Sequence, residues 1–170
     1  MRTSEDTPTD ADNLIRYGTI ASVDLAAARC VVALEDGVES PPVRWLAPRM
    51  GLTRIWSPPS VGEEVILLCA GGEIGAGTAL CGLANAQFPP PASTPIDLIE
   101  FPDGAKLSYD PAAHAATLTL PDGGALNITA DVNVTGTLSA TVDVVGGGKS
   151  LKGHKHGGVQ AGAAQTGTPV

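Results

Sequence analysis

Two histidines near the C-terminus have the residue type and spacing that could bind a metal ion. They are His154 and His156, in the stretch SLKGHKHGGVQ, and the chain has one further histidine, His114. Along an extended strand, residues two apart point to the same side, so both imidazoles could face one ion with Lys155 opposite. Two imidazoles alone make a poor site. The number of chains that meet at this point therefore decides between a metal site and a pair of exposed tail histidines.

The composition limits the elements that could position this pair. The chain has 170 residues, 21 of them glycine and 14 proline, and aromatic residues make up 4%. Such a composition predicts many turns, little helix and no large conventional core throughout. The net charge of −8 argues against nucleic acid as a partner. The polar, acidic N-terminus is not typical of a secretory signal.

The first half of the chain predicts a small closed β-barrel. Five short apolar segments lie between residues 15 and 85, separated by glycine-containing turns, with one turn expected around Asp24 to Ala28. Five such strands in about 70 residues are typical of an OB-type barrel. Trp45, Trp56 and Tyr17 are expected to pack in its core or at its rim. Cys30 and Cys69 lie in apolar runs and are expected to be buried, reduced side chains.

The second half begins after the proline-rich stretch QFPPPASTP at residues 87–95. The sequences FPDGAKLSYD and LPDGGALNIT, nineteen residues apart, each place a Pro-Asp-Gly turn before an alternating strand, which predicts a β-meander. His114 is expected to be a surface turn residue between them.

A strict alternation of apolar and polar residues follows at residues 126–144. Every even position is apolar or glycine and every odd position is polar. Period-two alternation indicates a β-strand, but nineteen residues far exceed the usual strand length of about 3 to 10. No turn brings a partner strand back within it, and a lone strand leaves its backbone groups unpaired. Identical chains are the simplest source of partners, so the sequence predicts an obligate homo-oligomer.

Taken in order, these parts resemble the baseplate assembly protein V family, the central spike of contractile-tailed phages. YGTIASVD and SVGEEVILL resemble its OB-fold module, the alternating segment resembles its intertwined three-chain β-helix, and GHKHGGVQAGAAQTGTP resembles its apex. The resemblance implies an all-β chain with four parts. These are a flexible tail at residues 1–13, an OB-fold domain at 14–90, a meander and trimeric β-helix at 91–148, and an iron-binding apex at 149–170.

The resemblance also implies a function and a ligand set. His154 and His156 from each of three chains would supply six ligands to one iron ion per trimer. Six imidazoles suit iron better than zinc, which prefers four ligands. The chain would be a non-enzymatic virion protein at the tip of the baseplate, assembled in the host cytoplasm. It would contact hub and tail tube proteins and the host outer membrane, but no nucleic acid or small-molecule substrate.

Two other functions stay open at this point. His-x-His also occurs in zinc endopeptidases that cut cell-wall peptides, but such a site needs further ligands and a general base. The fourteen residues after His156 contain no His, Cys, Asp or Glu. A receptor-binding tail fibre is the other alternative, although such a tip usually has an enlarged, aromatic-bearing head, and aromatic residues are absent after Tyr109.

Overall fold

The protein is built almost entirely from short β-strands. Its structure, a computed structural model, describes residues 13–35, 37–155, 157–158 and 162. The chain divides into two compact units, Met1–Gly124 and Ala125–Val170. The described strands are β1 (Ile15–Asp24), β2 (Arg29–Leu34), β3 (Arg44–Trp45), β4 (Glu64–Leu68), β5 (Thr78–Leu83), β6 (Asp97–Glu100), β7 (Lys106–Asp110), β8 (Ala115–Thr119), β9 (Val145–Gly146) and β10 (Lys149–Ser150), with 3-10 turns at Ala70–Gly72 and Ile74–Ala76.

The first five strands form the predicted closed barrel. Their order is β2-β1-β4-β5-β3, and every neighbouring pair is antiparallel except β3 with β5, which is parallel. The sheet closes where Val43, just before β3, pairs with Cys30 of β2. Their backbones exchange two hydrogen bonds, of 2.8 Å from the Cys30 amide and 2.9 Å from the Val43 amide. This connectivity is that of a five-stranded OB-type barrel.

The barrel has its own core, made by side chains that alternate inward along its strands. On β2, for example, Cys30, Val32 and Leu34 are buried and the residues between them are more exposed. Trp45 is a core residue, and its ring centroid lies 5.6 Å from that of the half-exposed Trp56. The buried hydrophobic residues of this core are Ile20, Cys30, Val32, Leu34, Val43, Trp45, Val65, Leu67, Cys69 and Ala79.

The β1–β2 turn lies where the sequence predicted it. Asp24 Oδ1 accepts hydrogen bonds from the backbone amides of Ala26 (2.9 Å) and Ala27 (3.0 Å), which satisfies two donors of the turn. Ala28 then adopts a positive φ of 50° before β2 begins. The aspartate side chain therefore explains why a turn without glycine forms here.

Strands β6, β7 and β8 form a three-stranded antiparallel sheet, in which only β7 is a strand predicted to follow a Pro-Asp-Gly turn. The first Pro-Asp-Gly turn joins β6 to β7. Asp103 Oδ1 accepts from the Ala105 amide at 3.0 Å, and Gly104 has a φ of +87°. His114 lies exposed in the turn between β7 and β8, with a φ of +51°, as predicted.

Residues 126–144, predicted to pair as a strand with identical chains, are not paired as a strand in the single chain. The structure describes every residue of this segment and assigns no strand to it. The second Pro-Asp-Gly sequence does form a turn, in which the Gly124 amide donates to Pro121 O at 2.8 Å, but no strand follows it directly. A β-strand exists only with a neighbour that pairs its backbone groups, and the described part of the chain provides no such neighbour for this segment.

Two further points bear on the predictions. The proposed tail at residues 1–13 lies outside the described residues except for Asn13. Among the residues that the structure describes, no helix is both long enough and apolar enough to cross a membrane.

Candidate metal centre

A short β-hairpin precedes the first of the two predicted ligands. Val145 pairs with Ser150 and Gly146 with Lys149, which leaves Gly147 and Gly148 as the two loop residues. Both have positive φ, +57° and +77°, as a type I′ hairpin turn requires. The Leu151 amide donates to Val144 O at 2.8 Å and extends the pairing by one step. The local glycine run therefore determines where the chain reverses.

The carboxylate of Asp143 joins the two ends of this hairpin. Its Oδ1 accepts from the Val144 amide at 2.8 Å and from the Lys152 amide at 3.1 Å, nine residues along the chain. A hydrogen bond with the Ser150 side chain is the largest of several interactions that lower the pKa of Asp143 below its ordinary value. Each of these bonds favours the charged form, so the carboxylate is ionised throughout the neutral range.

The turn that follows the hairpin holds His154. Ser150 Oγ accepts from the Gly153 amide at 2.7 Å, and the His154 amide donates to Ser150 O at 3.1 Å. The imidazole Nδ1 lies 2.9 Å from Leu151 O. A carbonyl oxygen can only accept, so Nδ1 carries the proton in this contact, and in the neutral ring the lone pair is then on Nε2. This tautomer is the one in which Nε2 would bind a metal while a backbone carbonyl orients the ring.

The structure describes one of the two predicted ligands. His154 is exposed, and His156 lies outside the described residues, so their mutual distance is not defined. Residues 13–35, 37–155, 157–158 and 162 contain no group of three or more His, Cys, Asp or Glu side chains that could hold an ion. The donor type, exposure and tautomer of His154 fit a metal ligand. Any complete site needs donors beyond this described set.

The sequence reasoning missed Asp143. The alternation assigned it only to the polar face of the segment 126–144. A local pattern could have revealed it, because an acidic residue lies just before VVGGGKS and the serine follows the glycines. An aspartate on one side of a glycine turn and a serine on the other can bond across its base.

Two depressions on the surface of the barrel lack the imidazole and thiol donors of a histidine or cysteine metal site. One of about 340 Å³ and one of about 360 Å³ open on its surface. Neither has a histidine or cysteine among its lining residues, which are Tyr17, Gly18, Thr19, Ala33, Leu34, Glu35 and Glu64 for the first and Arg29, Pro42, Val43, Arg44, Gly75, Ala76 and Gly77 for the second.

Comparison with known proteins gives matches at both ends of the chain. Residues 16–83 match the family described as the type VI secretion system/phage-baseplate injector OB domain, and residues 150–170 match the GpV Apex motif. The first range spans the barrel, and the second contains both His154 and His156. The chain is also 40% identical to the spike protein of Escherichia phage P2 over 134 residues, which are 78% of this chain. It spans 60% of the length of that relative.

Proposed function

We propose that this chain is a member of the phage baseplate spike family to which its OB domain and apex motif point, and that it forms the central spike of a contractile tail. The spike is a structural virion protein at the tip of the baseplate and has no enzymatic role. It passes through the outer membrane of the host cell when the tail sheath contracts. The family description also names type VI secretion systems, but the 40% identity to a phage spike favours the phage assignment.

The exposed apolar side chains at residues 126–144 are the observation that carries this proposal. Seven larger aliphatic side chains at even positions are between 40% and 79% exposed in the single chain: Leu126, Ile128, Val132, Val134, Leu138, Val142 and Val144. Exposed apolar surface of this extent marks an interaction site. Three copies wound around one axis would pair the backbone groups and bury these side chains. The homotrimeric β-helix of the family is the arrangement that does so.

The apex of the trimer needs another source of cohesion. A tapering end has few side chains to bury, and chain ends fray when little holds them down. Three copies of His154 and His156 would provide six imidazole ligands on the axis, which suits one iron ion. Such a metal ion, when bound, supplies cohesion that a small core cannot. The Nδ1–H contact with Leu151 O holds His154 in the tautomer that this binding requires.

The remaining parts suit a passive needle. The acidic barrel, with its own core, would act as a collar that contacts hub and tail tube proteins. Lys149, Lys152 and Lys155 lie close to the apex, and their positive charge suits contact with anionic lipopolysaccharide. The sheath provides the force, so the spike itself needs no nucleotide site.

The oligomeric state and the metal content of the purified full chain test this function. Light scattering should give three times the chain mass of 17.1 kDa, or about 51 kDa, and metal analysis should give one iron per three chains. His154→Ala should remove the metal, whereas His114→Ala should keep it. Binding should weaken as the pH falls through the imidazole range, because metal ligands must be deprotonated. A stable folded monomer would contradict the trimer, and a metal-free trimer would contradict the apex site.

The membrane-piercing role needs a test in virions. Phage carrying both His154→Ala and His156→Ala should assemble tails that contract but infect with reduced efficiency, with His114→Ala as the control. Undiminished infection by the double variant would reject the metal-clamped tip. Undiminished infection by phage lacking residues 96–170 would reject the piercing role itself.

A further inference from the structure

We propose that Asp143 is a positioning residue that holds the proposed metal ligand His154 in its ligating tautomer. The inference rests on the proposed apex site for its biological meaning, but the contacts that carry it belong to the described chain alone. Hydrogen bonds through Lys152, Ser150 and Leu151 connect Asp143 to His154. Asp143 acts through the turn between them.

The first step of the argument is the dependence of the hairpin on one carboxylate. Strands β9 and β10 have two residues each, and three consecutive glycines, residues 146–148, occupy the turn region. Short hairpins are marginal in water, and glycine loses more backbone freedom on ordering than other residues. The bonds from the Lys152 amide and the Ser150 side chain to the Asp143 carboxylate tie the two sides together, and the Val144 amide bonds the same carboxylate from its own side. Hydrogen bonds to a charged acceptor are stronger than neutral ones.

The second step is the transmission of this order to His154. The same Ser150 that bonds Asp143 also accepts from the Gly153 amide through Oγ and from the His154 amide through its carbonyl. The Leu151 carbonyl accepts the hydrogen bond from Nδ1–H of His154, and Leu151 lies between Ser150 and Lys152, which both bond the carboxylate. The position and direction of the Leu151 carbonyl are therefore determined by the hydrogen bonds that its two neighbours, Ser150 and Lys152, make with Asp143.

The third step concerns what is lost without the carboxylate. The Val144 and Lys152 amides would turn to water, and the two sides of the hairpin would separate more easily. The Leu151 carbonyl would then no longer be held against Nδ1. The imidazole would exchange between its two tautomers, and the fraction with a lone pair on Nε2 would fall.

The test uses the full chain with three substitutions. Asp143→Ala removes the acceptor, and Asp143→Asn keeps one side-chain oxygen but removes the charge. Asp131→Ala is the matched control, because Asp131 is another aspartate on the polar side of the same segment. Light scattering first checks that each variant has the mass of the wild type. If the alanine variant fails to assemble, the asparagine variant decides.

The primary measurement is the tautomer of His154 in the metal-free protein, read by nitrogen NMR of labelled imidazoles. Wild type and Asp131→Ala should show protonated Nδ1, Asp143→Ala should show a mixture, and Asp143→Asn should lie between them. The second measurement is iron affinity. Loss of a group that orients a ligand typically weakens binding about 10- to 100-fold, and we expect this for Asp143→Ala, with a smaller loss for Asp143→Asn.

The two proposals can fail separately. Unchanged tautomer and unchanged affinity in both Asp143 variants would overturn the positioning role, whatever the wild type binds. A wild-type trimer without metal, together with a tautomer that depends on Asp143, would reject the proposed metal site and support the positioning role.

Discussion

The barrel strands and the segment 126–144 share an alternation of apolar and polar residues, but they differ in whether the apolar side chains are buried. On β2, Cys30, Val32 and Leu34 alternate with more exposed residues and are at most 5% exposed. Val132 and Val134 alternate in the same way and are more than 50% exposed. The difference lies in the neighbours, because β2 pairs with β1 and with Val43, whereas the later segment has no neighbouring strand among the residues that the structure describes. The alternation therefore shows which side chains are apolar enough to be buried. The pairing of strands decides whether a single chain can bury them.

The strongest test of this comparison is a charge placed among the apolar side chains at the even positions of residues 126–144. Val134→Asp should abolish the trimer, because assembly would bring three carboxylates close together and remove them from water. Thr135→Asp, one position along on the polar face, should remain trimeric. Light scattering measures both, and fluorescence of Trp45 and Trp56 should show an intact barrel in each. A Val134→Asp protein with wild-type mass and stability would contradict the three-chain interpretation of this segment.

The stability of the barrel should depend on the volume of its core side chains and not on a charge introduced at residues 126–144. Leu67 is completely buried, so Leu67→Ala should destabilise the barrel by about 2–5 kcal/mol through lost burial and a residual cavity. Leu52 is fully exposed, and Leu52→Ala should change the stability by less than about 0.5 kcal/mol. Denaturant unfolding followed by tryptophan fluorescence measures the difference. Equal midpoints for the two variants would show that this core does not stabilise the barrel as the structure indicates.

The close packing between β1 and β2 predicts a smaller loss of stability for a substitution at Gly18. A Cβ atom at Gly18 would meet the Ala33 carbonyl oxygen, and would lie 2.7 Å from Val32 Cγ1. Gly18→Ala should therefore cost about 1–3 kcal/mol, as overpacking typically does. At Gly51 a Cβ would have no atom within 4 Å, so Gly51→Ala should have little effect. A Gly18→Ala protein as stable as Gly51→Ala in the same unfolding experiment would mean that β1 and β2 lie further apart here.

The parts of the fold that depend on one chain could be predicted from the sequence. The five barrel strands, the turn at Asp24 and the strand after the first Pro-Asp-Gly turn could be predicted, because each strand finds its partner within about 50 residues and the turn residues mark where the chain reverses. The OB-domain match over residues 16–83 agrees with the barrel. The strand expected at 126–144 was predicted to need identical chains as partners, and a single chain does not test it. The homotrimer stays a prediction.

Only part of the candidate site could be predicted from the sequence. His154 and His156 are visible as a pair in the sequence, and the apex motif covers both, but their binding of iron stays a prediction. Asp143 escaped notice because its role depends on a hairpin that brings residues nine apart together. Residue type and period do not reveal such a contact. It appears only when the backbone of the turn is known.

The reactivity of the three cysteines also distinguishes buried from exposed regions, and this is the smallest effect that we expect. Cys30 and Cys69 are buried in the barrel, and Cys81 is an exposed residue. Partial burial of its thiol, with smaller contributions from Glu63 and Cys30, raises the pKa of Cys81 to about 11. A raised pKa favours the neutral thiol, and the thiolate is the nucleophile, so Cys81 should react slowly at neutral pH although reagents can reach it.

Alkylation of the native protein should therefore modify one cysteine per chain, at a rate that rises about tenfold per pH unit and does not level off below about pH 10, because thiolate continues to accumulate up to the pKa. A small-molecule thiol with an ordinary pKa, about 8.5, should level off earlier and serves as the control. Cys30 and Cys69 should react only after denaturant is added, and sooner in Leu67→Ala than in the wild type, because the destabilised barrel opens more often. Mass spectrometry of digested protein assigns the modified residue. Rapid labelling of Cys30 or Cys69 without denaturant would show that the barrel core is open to solvent, and a rate for Cys81 that levels off near pH 8.5 would show that its thiol is not shielded.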